Sequence, residues 1–275
     1  MDGRMGIVSG RYRSLDEGTE DQPVPVTVVE LFGRMDDGRS VCLLIRGLRP
    51  TFELAPIGQW DADEGVSTFL SDRIEHVRAM EHVVDVQGPI IKWTQLGERP
   101  VWTVEMEQPF HVPSIRNALK TQSWQLFSAD IPFVNRLFLD ADLGMHLAFQ
   151  GEVLDERGHD KTEVLERLAA AGVAGRYGVD LTVACTVDQL SACEPFQVPF
   201  RLLSFDLETS IEKETVLCAA ACVEDLGSGE RHEFAFQGSE TEILEALTRT
   251  VLEHDPDIIT GYNIDNFDLP QIGRA

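Results

Sequence analysis

The pattern of apolar and polar positions predicts a polar start followed by a β-hairpin. Residues 1–22 are polar and rich in acidic side chains, which is typical of a flexible lead-in. Residues 24–32 and 40–45 are β-branched and apolar, as in strands. They flank Asp36-Asp37-Gly38, a sequence that favours a tight turn between paired strands. The folded part of the chain is therefore expected to begin after the lead-in.

Residues 50–128 alternate between strand-like and helix-like patterns. Strands are expected at 52–55, 82–91, 101–107 and 125–128, and helices at 66–80 and from Pro113 onward. This βαββαβ order is the split-βαβ arrangement, in which two helices pack on one face of an antiparallel sheet. We predict a ferredoxin-like, or RRM-like, N-terminal domain over 23–140, with the hairpin as an extension.

Residues 141–198 are less regular and are interpreted as a connector between domains. Glycine and polar residues dominate 151–160. Beyond them the pattern predicts a helix over 161–171 and a strand over 179–187.

Residues 199–275 predict a second domain with the order β-β-β-α-β-α. An apolar strand at 201–205 is followed by two strands that Gly227-Ser228-Gly229 joins in a turn. The sequence Ser239-Glu240-Thr241-Glu242 forms a capping box at the start of an amphipathic helix. This is the element order of the ribonuclease H-like fold, so the fold class combines α+β and α/β units. The order brings the end of the first strand to the start of the last helix.

Composition indicates a globular chain without a membrane partner. Hydrophobic residues make up 43% and charged residues 25% of the 275 positions. No apolar run approaches the roughly 18 residues of a membrane helix, and the start lacks the pattern of a signal peptide. The five cysteines include no C-x-x-C pair, so no disulfide framework or zinc ribbon is indicated. We predict a cytoplasmic protein.

The net charge of −24 is unusual and allows two interpretations. The acids could form a solvated surface suited to a halophilic source, because molar salt screens their repulsion. Alternatively, a basic surface for nucleic acid lies outside this chain, since phosphate binding requires positive charge. Both interpretations stay open at this point, and a halophilic source is the hypothesis.

Two acids near the end of the strand at 201–205 are candidates for metal binding. Asp206 and Glu208 are two residues apart, so on a strand both carboxylates point to the same side. Carboxylate oxygens are the ligands that Mg²⁺ and similar cations prefer. A pair of such cations about 3.5–4 Å apart can assist phosphodiester hydrolysis. The Asp-x-Glu triplet alone is a weak signal, but its place beside an apolar strand strengthens it.

Two motifs resemble those of a known family. Residues 205–209 (Phe-Asp-Leu-Glu-Thr) resemble the first exonuclease motif of family B DNA polymerases, and residues 262–268 (Tyr-Asn-Ile-Asp-Asn-Phe-Asp) resemble the second. The resemblance implies a 3'→5' proofreading exonuclease in which two divalent cations, Mg²⁺ or Mn²⁺, are held by Asp206, Glu208 and Asp268. It also implies that Asn263, Phe267 and Thr209 contact the terminal nucleotide of the primer. Asp265 has no role in the family and is interpreted as a turn residue.

Three further segments resemble those of archaeal family B polymerases. They are residues 48–50 (Leu-Arg-Pro), 111–116 (His-Val-Pro-Ser-Ile-Arg) and 129–136 (Ala-Asp-Ile-Pro-Phe-Val-Asn-Arg). In that subfamily they line a pocket that captures uracil in the template strand and stalls synthesis. The resemblance implies that the pocket here is lined by Pro50, Val112, Pro113, Pro132, Phe133 and Arg136.

The same resemblance implies a longer protein. Neither the third exonuclease motif nor the motifs for nucleotide addition occur before Ala275, so a fragment with weak or no nuclease activity is expected. DNA with a single-stranded 3' end is the expected partner, while deoxynucleotides and a sliding clamp would bind through the missing C-terminal part. Two alternatives remain, a stand-alone ribonuclease H-fold exonuclease and a non-catalytic paralogue of a polymerase.

Overall fold

The computed structural model of the protein describes residues 1–19, 22–58, 67–158, 168, 177–210, 212 and 215–275. Within these ranges the backbone forms one seven-stranded sheet and two four-stranded sheets. The three sheets have separate hydrophobic cores. They provide the frame on which the candidate site residues lie.

The strands and helices of the described residues are given in chain order. The strands are β1 (Asp2–Thr19), β2 (Gln22–Met35), β3 (Ser40–Arg46), β4 (Thr51–Pro56), β5 (Val83–Thr94), β6 (Gly97–Met106), β7 (Trp124–Phe127), β8 (His146–Gln150), β9 (Glu152–Glu156), β10 (Leu181–Thr186), β11 (Leu190–Ala192), β12 (Arg201–Thr209), β13 (Val216–Asp225), β14 (Arg231–Gln237) and β15 (Ile258–Thr260). The helices are α1 (Thr68–Arg78), α2 (Val112–Thr121), α3 (Phe133–Asp140), α4 (Glu240–His254) and α5 (Asp268–Arg274). No helix among the described residues is long and apolar enough to cross a membrane.

The prediction of a flexible lead-in over 1–22 is wrong, because residues 2–19 form strand β1. This strand pairs antiparallel with β2 and with β8, and Met5 is fully buried. Its polar positions have partners that the sequence does not reveal. Arg11 and Arg13 both form ion pairs with Glu30 on β2, whose side chain is only 2% exposed. A polar strand is stable here since a buried acid on its neighbour neutralises its charges.

The hairpin predicted around Asp36-Asp37-Gly38 is confirmed. Strands β2 and β3 pair antiparallel, and Gly38 has a positive φ of 89°, a conformation that glycine adopts without strain. The Asp37 side chain accepts a hydrogen bond from the backbone N–H of Arg39 at 3.0 Å. The turn chemistry of these residues therefore sets the register of the two strands.

The interpretation of 141–198 as a connector needs correction. The predicted strand is confirmed as β10, but β10 pairs in parallel with β3, and β8 pairs with β1. The seven-stranded sheet has the order β11-β8-β1-β2-β3-β10-β9. The segment therefore completes the sheet that the first strands begin, because its pairing partners lie far away along the chain. The helix predicted over 161–171 lies outside the described residues except for Leu168, which is helical and buried.

The βαββαβ unit is confirmed. Its sheet has the order β5-β6-β4-β7 with antiparallel neighbours throughout. Ile74 of α1 and Leu119 of α2 pack against Phe52 and Trp102 in one core. The unit is inserted between β3 and β8, so the hairpin lies in the seven-stranded sheet rather than in this one.

Helix α3 is not among the helices predicted from sequence. It begins after Pro132, and its buried residues Phe133 and Leu137 belong to the core of the seven-stranded sheet. An isolated helix of this length is marginally stable in water. Packing against the seven-stranded sheet therefore stabilises α3.

The β-β-β-α-β-α order of the last unit is confirmed. Its sheet has the order β14-β13-β12-β15, with β15 parallel to β12 and the other neighbours antiparallel. The capping box is present, with Ser239 N–H donating to Glu242 Oε2 at 2.8 Å. Ile243 and Leu247 are buried, as expected of the amphipathic helix, whereas Leu252 is 76% exposed.

A buried ion pair joins this last unit to the seven-stranded sheet. Arg34 on β2 donates from Nε and Nη2 to the two carboxylate oxygens of Asp257, at 2.7 and 2.9 Å. The two side chains are 4% and 9% exposed. Asp257 also accepts a hydrogen bond from the backbone N–H of Arg201 at 2.8 Å. The carboxylate of Asp257, the residue just before β15, therefore links β2 to the start of β12.

Candidate functional site

Two of the predicted acids lie on the open face of β12. Phe205 and Leu207 are buried against the core of the last unit, and the alternation of the strand leaves Asp206 and Glu208 exposed. Both carboxylates are therefore presented on the same side of the strand, as the sequence predicts.

Asp268, the third predicted acid, is held against the backbone between the other two. It is the first residue of α5 and only 1% exposed. Its Oδ1 accepts a hydrogen bond from the N–H of Leu207 at 3.0 Å. The ladder between β12 and β15 reaches only as far as Ser204 and Thr260, so Asp268 supplies an acceptor where the sheet ends. The fold thus brings Asp268 to a strand whose acids, Asp206 and Glu208, lie 62 and 60 residues earlier in the sequence.

The ligand atoms of Asp206, Glu208 and Asp268 do not all lie within 4.8 Å of one another. Among the described residues, the group of three metal-ligating side chains whose ligand atoms all lie within 4.8 Å of one another is His82, Glu107 and His111. Asp206, Glu208 and Asp268 do not form such a group.

The loop before α5 presents the exposed side chains of Asn263 and Phe267. Asn263 has a positive φ of 56°, a conformation that asparagine tolerates better than most residues. Its carbonyl oxygen accepts hydrogen bonds from the N–H groups of Asn266 and Phe267, both at 3.1 Å. The Phe267 side chain is 40% exposed. The backbone of the loop is thus fixed while Asn263 and Phe267 remain accessible.

Gly261 allows this loop to approach β12. A Cβ atom at Gly261 would lie 2.5 Å from the carbonyl oxygen of Phe205, which is too close for any other residue. Thr209 lies at the far end of β12, after a register shift that follows Glu208. Asp265 is exposed, in keeping with its interpretation as a turn residue.

Helix α5, which carries Asp268, is braced at its other end by Glu240. Glu240 Oε1 accepts hydrogen bonds from Val216 N–H at 2.9 Å and from Arg274 Nη2 at 2.8 Å. The hydrogen bond from Val216, and then the one from Arg274, hold the pKa of Glu240 below its usual value. The ionised form of Glu240 therefore ties α5 to α4 and β13.

We expect this brace to make stability depend on pH. Because the folded-state pKa is lowered, the stabilisation is present above about pH 4.5 and is lost as the pH falls through the folded value. Glu240→Gln should lower the urea midpoint at pH 6, and its difference from the wild type should shrink towards pH 3. Urea titrations across that range measure this. The control is Glu245→Gln, an exposed acid on the same helix; an equal loss in both variants at pH 6 would contradict the brace.

The six residues that sequence resemblance assigns to a template-base pocket line one cavity. Its volume is about 290 Å³. The cavity lies where the βαββαβ unit meets α3 and β1. The predicted residues in its wall are Pro50, Val112, Pro113, Pro132, Phe133 and Arg136, and the others are Tyr12, Thr51, Pro109, Arg116, Ser128, Ala129, Asp130 and Ile131.

Tyr12 is the wall residue that the sequence interpretation missed most clearly. It lies on β1, in the stretch expected to be flexible, and its ring packs edge-to-face on Phe133 with centroids 5.6 Å apart. An isolated aromatic residue in a polar stretch was the available signal. Arg136 is fixed by a hydrogen bond from its Nε to Asp140 at 2.8 Å. Strand β1 and helix α3 therefore shape the cavity together.

Comparison with known families finds a match that includes the second of the two motifs but not the first. Residues 224–274 match the model of the DNA polymerase family B exonuclease domain. The matched range contains Asn263, Phe267 and Asp268, and it begins after Asp206 and Glu208.

Similar proteins include DNA polymerases of archaea and eukaryotes. A DNA polymerase of Archaeoglobus fulgidus is 27% identical over 182 residues, which cover 63% of this chain and 20% of that protein. The DNA polymerase delta catalytic subunit of Dictyostelium discoideum is 31% identical over 296 residues, covering 91% of this chain and 26% of that subunit. The chain thus spans a fifth to about a quarter of the length of these relatives.

The fold is also that of a solved polymerase. The family B DNA polymerase from the hyperthermophilic archaeon Pyrobaculum calidifontis superposes with a TM-score of 0.63 at 22% identity, over 98% of this chain and 32% of that one. The motifs, the matched residues and the fold agree: this chain is similar to the family B DNA polymerases, and its residues 224–274 are similar to part of their exonuclease domain.

Proposed function

We propose that this chain is part of a family B DNA polymerase acting in DNA replication, and that residues 199–275 contribute to its 3'→5' proofreading exonuclease. The observation that supports the proposal most is the hydrogen bond from Leu207 N–H to Asp268, because Leu207 lies between Asp206 and Glu208 on β12. Loss of 3' primer degradation when these acids are replaced tests it.

Asp206, Glu208 and Asp268 would hold two divalent cations, Mg²⁺ or Mn²⁺. The donor set supports this, since carboxylates are hard oxygen ligands and no sulfur or imidazole is among them. When bound, such a pair stabilises charge on the attacking and leaving oxygens of a phosphodiester. The residues themselves contribute the orientation, because β12 and the buried Asp268 fix where the carboxylates lie.

The terminal nucleotide of a single-stranded 3' end would contact Asn263, Phe267 and Thr209. The exposed ring of Phe267 supports this role, because aromatic side chains stack on nucleic-acid bases at about 1–3 kcal/mol per base. The side-chain amide of Asn263 offers N–H donors, while its oxygen already accepts a hydrogen bond from Asn266 Nδ2 at 3.0 Å.

The cavity beside α3 would take a base of the template strand, with uracil preferred. A cavity of about 290 Å³ bounded by proline and aromatic side chains favours recognition of an unstacked base by shape. Uracil lacks the methyl group of thymine, and a close-fitting cavity distinguishes one methyl group by about 1–3 kcal/mol, or roughly 10–200-fold.

Val112→Phe is expected to abolish that preference. The larger side chain would occupy space that the base needs, so affinities for uracil-containing and thymine-containing single strands should become equal. Fluorescence anisotropy with labelled oligonucleotides measures both. Val84→Phe is the matched control, since Val84 is 45% exposed on β5 of the same unit. Equal affinities in the unsubstituted chain would contradict the uracil proposal.

Deoxynucleotides and a sliding clamp would be bound by parts of the polymerase beyond these residues, in a cytoplasmic protein. The net charge of −24 supports a basic DNA-binding surface elsewhere in the protein and a halophilic source. Stability in molar salt that is lost in millimolar salt would support the halophilic source.

A further inference from the structure

A cluster of two histidines and a glutamate lies outside both sites described above. His82 precedes β5, Glu107 follows β6, and His111 precedes α2. His82 Nδ1 lies 2.9 Å and His111 Nε2 lies 3.9 Å from the same oxygen, Glu107 Oε2. The two imidazole rings are stacked with centroids 3.4 Å apart and planes 8° from parallel.

We propose that His82, Glu107 and His111 bind a divalent transition-metal ion, of which Zn²⁺ is the representative. Imidazole and carboxylate are the donors that such ions prefer, in contrast to the carboxylates beside β12. The proposal does not depend on the function proposed for the chain.

The spacing of the ligand atoms fits one ion. Around a tetrahedral ion with bonds of about 2.0–2.1 Å, neighbouring ligand atoms lie about 3.3 Å apart. The separations of 2.9 and 3.9 Å from Glu107 Oε2 bracket that value. Because an imidazole nitrogen binds a metal in the plane of its ring, the two stacked rings would have to rotate so that both nitrogens face the ion. Glu107 would supply the third bond, and a fourth position would remain for water.

The ion would also satisfy His111. Without it, His82 is within hydrogen-bond distance of Glu107, while His111 at 3.9 Å is beyond it. A bound ion gives all three side chains a direct partner. The exposed fractions, 31% for His82, 35% for Glu107 and 20% for His111, leave the cluster accessible to an ion from solvent.

The surrounding contacts hold the ligands in place. The N–H of Glu107 donates to the carbonyl oxygen of His82 at 2.9 Å, and the hydroxyl of Ser114 donates to the carbonyl oxygen of His111 at 2.8 Å. On the far side of the His82 ring, Nε2 lies 3.6 Å from a carboxylate oxygen of Glu81. A carboxylate behind a ligating histidine is a common arrangement in metal sites, because it orients the ring.

Binding would stiffen one wall of the base-sized cavity. Two residues that line the cavity are close to the ligands in sequence. Pro109 lies between Glu107 and His111, and Val112 directly follows His111. An ion that joins these ligands to His82 would fix the segment 107–112 against the start of β5. The cluster would then act as a structural support for the cavity.

Co²⁺ titration followed by visible absorption, with Zn²⁺ as the competitor, tests the proposal. With Mg²⁺ in excess to occupy the carboxylates beside β12, the chain should bind one further ion, Co²⁺, with ligand-field bands that Zn²⁺ removes. His82→Asn and His111→Gln should each weaken Zn²⁺ binding at least about tenfold. Asparagine is chosen at position 82 because it tolerates the positive φ of 66° there.

The matched control is His232→Asn. His232 also lies near a glutamate, with its Nε2 3.2 Å from Glu230, but the described residues supply no third ligand there. Circular dichroism without metal verifies that each variant folds, and slower hydrogen exchange at 107–112 on adding Zn²⁺ would support the proposal further. Absence of the Co²⁺ bands, or an equal Zn²⁺ affinity in the His111 and His232 variants, would overturn it.

Discussion

Under the proposed exonuclease function, Asp268→Asn is expected to slow 3' primer degradation at least about 10³-fold, with the fold intact. A lost cation ligand removes several kcal/mol of transition-state stabilisation, and about 4 kcal/mol corresponds to that factor. The fold should persist because the side-chain oxygen of asparagine can still accept the hydrogen bond from Leu207 N–H. Gel analysis of a labelled single-stranded primer measures the rate.

Asp268→Ala separates the chemical role from the structural one. It leaves the N–H of Leu207 without an acceptor in a buried place, which costs about 1–3 kcal/mol of unfolding free energy. Asparagine should avoid most of this cost, and thermal or urea unfolding compares the two. Asp265→Asn is the control for charge on the same loop, since Asp265 is exposed. Full degradation activity in Asp268→Asn would exclude Asp268 as a ligand.

Arg34→Ala is expected to lower the free energy of unfolding by about 3–5 kcal/mol, because it leaves the buried carboxylate of Asp257 without its cation. The pair is bidentate, with distances of 2.7 and 2.9 Å. Arg34 also donates from Nη1 to the carbonyl oxygen of Gly38 at 2.6 Å, so the turn after β2 loses a contact too. Urea or guanidinium unfolding at fixed salt gives the change.

Arg4→Ala provides the matched control. Arg4 lies on β1 of the same sheet and pairs with Asp36 at 2.7 Å, but the two side chains are 50% and 36% exposed. Water screens such a pair, and its removal should cost no more than about 1 kcal/mol. Similar losses in the two variants would contradict a special role for the buried pair. Hydrogen exchange in the same variants would show whether β15 and the loop that follows it, residues 261–267, stay protected.

Local signals predicted much of the fold because their chemistry acts over a few residues. The turn at Asp36-Asp37-Gly38 and the capping box at 239–242 were confirmed, since each is defined by hydrogen bonds within four residues. The helices and strands of the βαββαβ unit followed from periodicity, and short connections limited how they could pack. The exposed pair Asp206 and Glu208 followed from the alternation of a strand.

The inferences that failed were those in which a residue depends on a distant partner that no motif marks. Strand β1 looked mobile because its arginines gave no sign of the buried Glu30 that pairs with them. The contact of Tyr12 with Phe133 was missed for the same reason. Arg34 and Asp257 are 223 positions apart, and no local pattern marks them as a pair.

The sequence by itself determined the element order of the last two units, the turn and cap positions, and the acids and cavity residues that the family motifs carry. Only the tertiary structure decided that β1 shares one sheet with β8, β9, β10 and β11. It alone decided that Asp268 is bonded to Leu207, and that His82, Glu107 and His111 meet. The physical reason is that burial and hydrogen bonding are satisfied between segments. A polar side chain is stable inside a protein only with a partner, and the fold supplies that partner.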